Sequence, residues 1–354
     1  MTETPLTRLH DPARKGFASD NYAGVHPEVL QALGTANEGH VGAYGADPYT
    51  EALQDVARRH FGEQAVCYPV FNGTGANVVA LSAMTDRWDA AICTATAHAH
   101  VDECGAPEKV GGVKMLPVPT PDGKLTPELI DREAHGFGFE HHAQPRVVTL
   151  SQSTELGTLY TPEELRAVCE HAHGLGLTVH LDGARLANAA AALDVSLREL
   201  TVDVGVDVLS WGGTKNGLMG AEAVVVVNPD AVRQPRFVRK LSTQLASKMR
   251  FVSVQLLAMY SGDLWVTAAR RANSMAQRLS DGLADVPGVQ VTQAPQANAV
   301  FAVLPADVTA RMQQRYPFYV WEETTGEVRL MCSWDTSPRD VHGFLEALRE
   351  ESSR

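Results

Sequence analysis

Seven short apolar runs, VCYPVF, DAAICTA, GVKMLPV, RVVTLS, LTVHLD, VDVLSW and EAVVVV, punctuate residues 66–227. Most are continuous rather than alternating. That is the pattern of strands buried on both faces, and it forces a parallel sheet with helices packed on each side. The intervening stretches GANVVALSAMTD, TPEELRAVCEHAHG and ARLANAAAAL read as the helices of right-handed crossover units. Only a glycine-rich turn separates VDVLSW from EAVVVV, too few residues for a parallel crossover, so EAVVVV is expected to run antiparallel. The fold class predicted is α/β, a mostly parallel seven-stranded sheet with helices on both faces. Farther on, WVTAARRANSMAQRLSDGLAD leads to GVQVT, AVFAVL, YPFYVW and EVRLMCSW, alternating runs suited to an antiparallel sheet in a smaller C-terminal α+β domain. The expected division is an N-terminal arm at 1–15, a large domain at 16–255 and a small domain at 256–354. A chain of 354 residues exceeds the roughly 250 to 300 over which one core keeps growing.

Charge and cysteine content narrow the partners. Thirty Lys and Arg against 42 Asp and Glu give a net charge of −12 without a basic cluster, which argues against a nucleic-acid partner. No apolar run is long enough to span a bilayer. Five scattered cysteines without a C-x-x-C pair argue against a disulfide framework or a structural zinc site. Together with an N-terminus lacking the apolar core of a signal peptide, they point to a cytoplasmic protein acting on small molecules.

Two neighbouring motifs carry the chemistry. HLDGAR ends the run LGLTVHLD with Asp182 and Arg185, and GGTKNG places Lys215 on the turn after the next strand. A lysine that forms a Schiff base with an aldehyde and a buried carboxylate that keeps a pyridine nitrogen protonated are what pyridoxal 5'-phosphate requires. Desolvation on such a turn lowers the lysine pKa toward the neutral amine. Gly212, Gly213 and Gly217 would let the backbone pass close to a flat ring. Upstream, Gly73-Thr74-Gly75-Ala76-Asn77 follows a strand and opens a helix, a place where backbone N–H groups hold a phosphate. His98, after the second strand, could stack on a flat cofactor and reach a substrate hydroxyl, although a structural histidine fits its local sequence as well. A rival reading gathers His98, His100, Asp102, His141, His142, His180 and Asp182 as ligands of a metal-dependent amidohydrolase. It leaves Lys215, the GTGAN turn and the C-terminal arginine without a role.

Ser19-Asp20, Tyr44-Gly45, the GTGAN turn, His98, HLDGAR and TKNG, in this order and spacing, resemble the threonine aldolases, most closely their low-specificity L-threonine and phenylserine branch. These are fold-type I pyridoxal phosphate enzymes of the aspartate aminotransferase superfamily. The resemblance implies Lys215 as the Schiff-base lysine, Asp182 on the pyridine nitrogen, His98 over the ring, and Gly73 with Thr74 on the phosphate. It implies Ser19, Tyr44, Arg185 and Arg329 around the substrate, His141 as a second histidine for the substrate hydroxyl, and Arg250 near the phosphate, from a neighbouring subunit. No metal is implied. The expected activity is cleavage of L-threonine, L-allo-threonine and related β-hydroxy-α-amino acids to glycine and an aldehyde, in a homo-oligomer, dimer or tetramer. A β-eliminating lyase on the same fold is the nearest alternative.

Overall fold

The computed structural model describes residues 7–354; the first six residues of the expected arm lie outside the described residues. All seven apolar runs form one sheet. They are β1 (Val66–Val70), β2 (Asp89–Thr94), β3 (Lys114–Val118), β4 (Gln144–Ser151), β5 (Thr178–Gly183), β6 (Val208–Trp211) and β7 (Glu222–Val226), in the order β1-β7-β6-β5-β4-β2-β3. The pairs β2–β3, β2–β4, β4–β5 and β5–β6 are parallel. β7 lies antiparallel between β6 and β1, as the short Lys215 turn requires. Strand order reverses where β4 passes back beside β2. In such sheets a ligand crevice opens at the carboxyl ends on either side of that reversal.

Crossover helices start where their sequences provide caps. Pro162–Gly174 has a capping box of Thr161 and Glu164 with Pro at its first turn. The helix Gly73–Met84 has no polar face, and Gly75 through Met84 are nearly all buried, so it serves as a buried spine on the sheet. A Cβ at Gly75 would lie 2.3 Å from the Gln244 side-chain amide, which would have to move aside.

The small domain contains β8 (Gln290–Val291), β9 (Ala299–Val303), β10 (Tyr319–Glu322) and β11 (Glu327–Met331), an antiparallel sheet ordered β10-β11-β9-β8. Two boundaries differ from expectation. The helix Arg250–Tyr260 is continuous across residue 255, and its Leu256, Met259 and Tyr260 belong to the large core. Phe17 belongs instead to the small-domain core. It is tied there because Phe17 N–H donates to Pro317 O and Met331 N–H donates to Phe17 O. The helix Leu264–Ala284 joins the units, with Trp265 and Ala269 in the large core and Ala276, Leu279 and Leu283 in the small one. Among the described residues, no helix is long and apolar enough to cross a membrane. All five cysteines are free thiols.

Candidate active site

Lys215 sits in a short 3-10 turn, Thr214–Asn216, between β6 and β7. Desolvation followed by repulsion from Arg185 pushes the pKa of its amine below the ordinary lysine value. The turn is fastened from beneath by Glu222 of β7, whose carboxylate accepts the N–H groups of Gly213 at 2.8 Å and Thr214 at 3.2 Å. Burial raises Glu222 to about 7. Two of the glycines are also required by chain packing. A Cβ on Gly212 would lie 2.5 Å from Ala184 O, and one on Gly213 2.4 Å from Leu218. The HLDGAR and GGTKNG turns can touch only because Gly212 lacks a side chain.

Asp182, at the end of β5, is half-buried. Burial alone would raise its pKa, but Lys215, a hydrogen bond from Asn77 and the charges of His98 and His180 together hold it below the usual value. Its Oδ2 accepts from Asn77 Nδ2 at 2.8 Å and its Oδ1 from Ala184 N–H at 3.0 Å. His98 opens the short helix after β2. Its ring Nδ1 lies 2.8 Å from Glu103 Oε1, and its main-chain N–H donates to Glu155 Oε1 at 2.9 Å. The Glu103 hydrogen bond is the largest influence raising the His98 pKa. Glu155, on the loop after β4, also accepts from Ser151 Oγ at 2.7 Å, and burial raises its pKa. His98 and Glu155 thus stand on the two sides of the reversal in strand order.

Arg185 is engaged differently from expectation. Its Nε and Nη2 donate to Asp20 at 2.7 and 2.9 Å, a bidentate pair that leaves Nη1 without a protein acceptor among the described residues. Asp20 also accepts from Asn298 Nδ2 at 3.1 Å. Ser19 is the cap of the turn carrying Asp20, accepting Asn21 N–H. Arg329 on β11 is the guanidinium left open. Its Nε is buried without a partner, its plane lies 4.3 Å from the Trp321 ring centroid, and burial with repulsion from Arg185 lowers its pKa to about 10.

Gly73 and Thr74 open the spine helix behind the cap Asn72, which holds Gly75 N–H at 2.7 Å. Among the described residues, no protein acceptor takes their own N–H groups, so this helix end suits a phosphate.

Three expected site residues are not gathered here within the chain. His141 lies before β4, beside Glu133 and Lys114 around a cavity of about 180 Å³. That is the amino end of the strands, separated from the carboxyl end by the length of β4, roughly 20 Å at about 3.3 Å per residue. Arg250 donates to Gly39 O at 3.1 Å, because its helix packs against Pro27–Thr35 and Pro48–Phe61. Tyr44 is 53 % exposed, with Lys240 Nζ 5.1 Å from its ring centroid. The metal-ligand reading fails on geometry. His141 and His98 lie at opposite strand ends, and both His180 nitrogens are engaged, by Thr149 at 2.8 Å and Ser210 at 2.9 Å. Sequence reasoning missed Glu103, Glu155, Glu222 and Asn298, gave Asp20 no role, and read Asn77 only as part of the phosphate turn. Only the position of Glu103 five residues after His98 was a signal, and a faint one.

Five buried polar atoms in this region have no protein partner: Asn77 Oδ1, Glu103 Oε2, Glu155 Oε2, Asn298 Oδ1 and Arg329 Nε. Orphaned groups beside a desolvated lysine, a strand-end aspartate and an open helix end fit a flat, phosphate-bearing cofactor. Fold and site together define a fold-type I enzyme of the pyridoxal phosphate class. The chain belongs to the beta-eliminating lyase family, which matches residues 16–306, and within it to the threonine aldolases. It is 42 % identical over 335 residues to the low specificity L-threonine aldolase of Pseudomonas aeruginosa, covering 94 % of this chain and 96 % of that one. The corresponding aldolase of a Pseudomonas species, strain NCIMB 10558, is 40 % identical with the same coverage. A solved structure of Leishmania major threonine aldolase superposes with a TM-score of 0.90 at 28 % identity, covering 96 % and 99 % of the two chains.

Proposed function

We propose that this chain cleaves L-threonine, L-allo-threonine and bulkier β-hydroxy-α-amino acids to glycine and an aldehyde. The observation that carries the reading is the desolvated Lys215 facing Asp182 and the His98–Glu103 pair, in a chain 42 % identical to a low specificity L-threonine aldolase. Lys215 would hold the aldehyde of pyridoxal phosphate, Asp182 its ring nitrogen, and the N–H groups of Gly73 and Thr74 its phosphate. Bound there, the cofactor supplies the electron sink that makes the Cα–Cβ bond labile. Arg329 binds the substrate carboxylate with Ser19 nearby, while Arg185 is held by Asp20 and orients that wall of the site. His98 accepts the hydroxyl proton through Nε2. Tyr44, Arg250 and His141 would act in the site of a second subunit of a homo-oligomer, in a reducing cytoplasm that suits five free thiols.

The test incubates the holoenzyme with each threonine diastereomer and measures acetaldehyde and glycine together. Equal amounts of both are expected, and Lys215→Ala should abolish them. A keto acid with ammonia and no glycine would move the chain to the eliminating reaction.

A further inference from the structure

Glu103 has a fully buried side chain to which the sequence assigned no role. Its Oε1 is shared by two groups of the site, His98 Nδ1 and Asn77 Nδ2, each at 2.8 Å, and Asn77 Nδ2 also reaches Asp182 Oδ2 at 2.8 Å. An oxygen accepting from the Asn77 amide is an acceptor toward the imidazole as well, so Nδ1 carries the proton and Nε2 is the unprotonated nitrogen of the neutral ring. Among the described residues, no protein group bonds Nε2.

We propose that Glu103 is the positioning residue of His98: it holds the Nδ1 proton, leaves Nε2 open to the substrate hydroxyl, and through Asn77 ties the imidazole to Asp182. One hydrogen-bonded chain then orients both the proton acceptor and the carboxylate that faces the cofactor. A neutral partner would keep the shape but lose the charge that strengthens the base. The inference rests on the reading of His98 as the hydroxyl base, and it adds what makes that base effective.

The charged groups facing His98 are Glu103 and Asp182, which raise its proton affinity, and Lys215, which lowers it. Glu155 meets its main-chain N–H rather than its ring. The test follows acylation of His98 by diethylpyrocarbonate, mapped by peptide mass, against pH in the holoenzyme. The wild-type midpoint should lie above the ordinary histidine value of about 6.5. In Glu103→Gln it should fall by about one pH unit, with kcat for threonine cleavage lowered at least about 10-fold and KM unchanged.

A lowered kcat with an unmoved midpoint would overturn the proposal, because a merely structural residue would not tune the imidazole. Should Glu103→Gln not fold, the wild-type midpoint decides alone: at or below the ordinary value, the pairing carries no charge effect and the proposal fails. Labelling does not depend on turnover. A protein that leaves threonine intact yet gives the expected midpoints would refute the aldolase reading and leave the Glu103–His98 pair standing.

Discussion

The two edges of the large sheet are built from the same residue types and have opposite characters. At the amino edge, Asp207 is saturated: Oδ2 accepts Val179 N–H at 2.7 Å and pairs with His173 Nε2 at 2.9 Å, and Oδ1 accepts Asn228 Nδ2 at 2.6 Å. At the carboxyl edge, Asn77, Glu103 and Glu155 each retain a buried oxygen without a partner, beside a desolvated lysine. A carboxylate whose oxygens are all matched by neighbouring donors fastens strands together. Carboxylates that share donors and keep orphaned atoms store unmet bonding capacity, which a ligand can supply. The difference separates the saturated Asp207–His173 pair from the Glu103–His98 pair proposed to act in the site, which carboxylate–histidine pairing alone cannot do.

The largest expected effect crosses the two characters. The Asp20–Arg185 pair lies at the functional edge but is saturated like Asp207, so Asp20→Asn should destabilise the fold by about 3–5 kcal/mol by leaving a buried guanidinium uncompensated. Burial alone would raise the Asp20 pKa, but the Arg185 pairing together with Lys215 and Asn298 holds it below 3.8. Its contribution is therefore complete above that value and is lost as pH falls through the lower folded one. Urea unfolding of wild type and variant should converge at acid pH, and a gap unchanged down to that range would refute the pairing as its source.

A smaller effect is expected at the open guanidinium. Arg329→Lys should raise KM by about 10- to 100-fold, the loss of one charge-assisted hydrogen bond of about 1.5–3 kcal/mol. Melting temperature should hardly change, and steady-state kinetics with L-threonine beside calorimetry separate the two readouts. An unchanged KM would assign Arg329 to the Trp321 stack alone.

At the amino edge the expectation reverses. Asp207→Ala should cost about 1–3 kcal/mol by stranding Val179 N–H, while activity per folded molecule stays at the wild-type level. Reduced kcat in fully folded protein would erase the contrast between the edges.

The smallest effect is a gain. Glu155→Gln should stabilise the protein by up to about 1 kcal/mol at neutral pH while slowing cleavage, the exchange expected where a site is kept under strain. Burial raises the Glu155 pKa, so the wild-type carboxyl favours folding when protonated, below its unfolded value, and loses that advantage as pH rises through the folded one. The gain should accordingly vanish in acid. A gain that persists there would trace to packing rather than charge.

How much was legible follows from the range of the signals. Each of the eleven strands matches an apolar run, and the antiparallel β7 follows from the brevity of the Lys215 turn. These are local consequences of side-chain period and turn length. Lys215, Asp182 and His98 were legible as candidates because each stands at or just past the carboxyl end of a strand, where a parallel sheet must open its crevice. The domain boundary at 255 and the place of Phe17 were not. A helix running between two cores and a segment adopted by a distant sheet leave no compositional break.

The sequence by itself determined the α/β class, the order of the elements, the turn that carries the lysine and the relationship to the threonine aldolases. Only the tertiary structure decided which charges neutralise each other. Arg185 meets Asp20 across 165 positions and Asn77 meets Asp182 across 105, while His141 falls at the wrong end of its strand for a site in its own chain. Periodicity propagates along the backbone over a few residues. Pairing of buried charges depends on which strand ends the sheet brings together, and that exists only once the chain has closed.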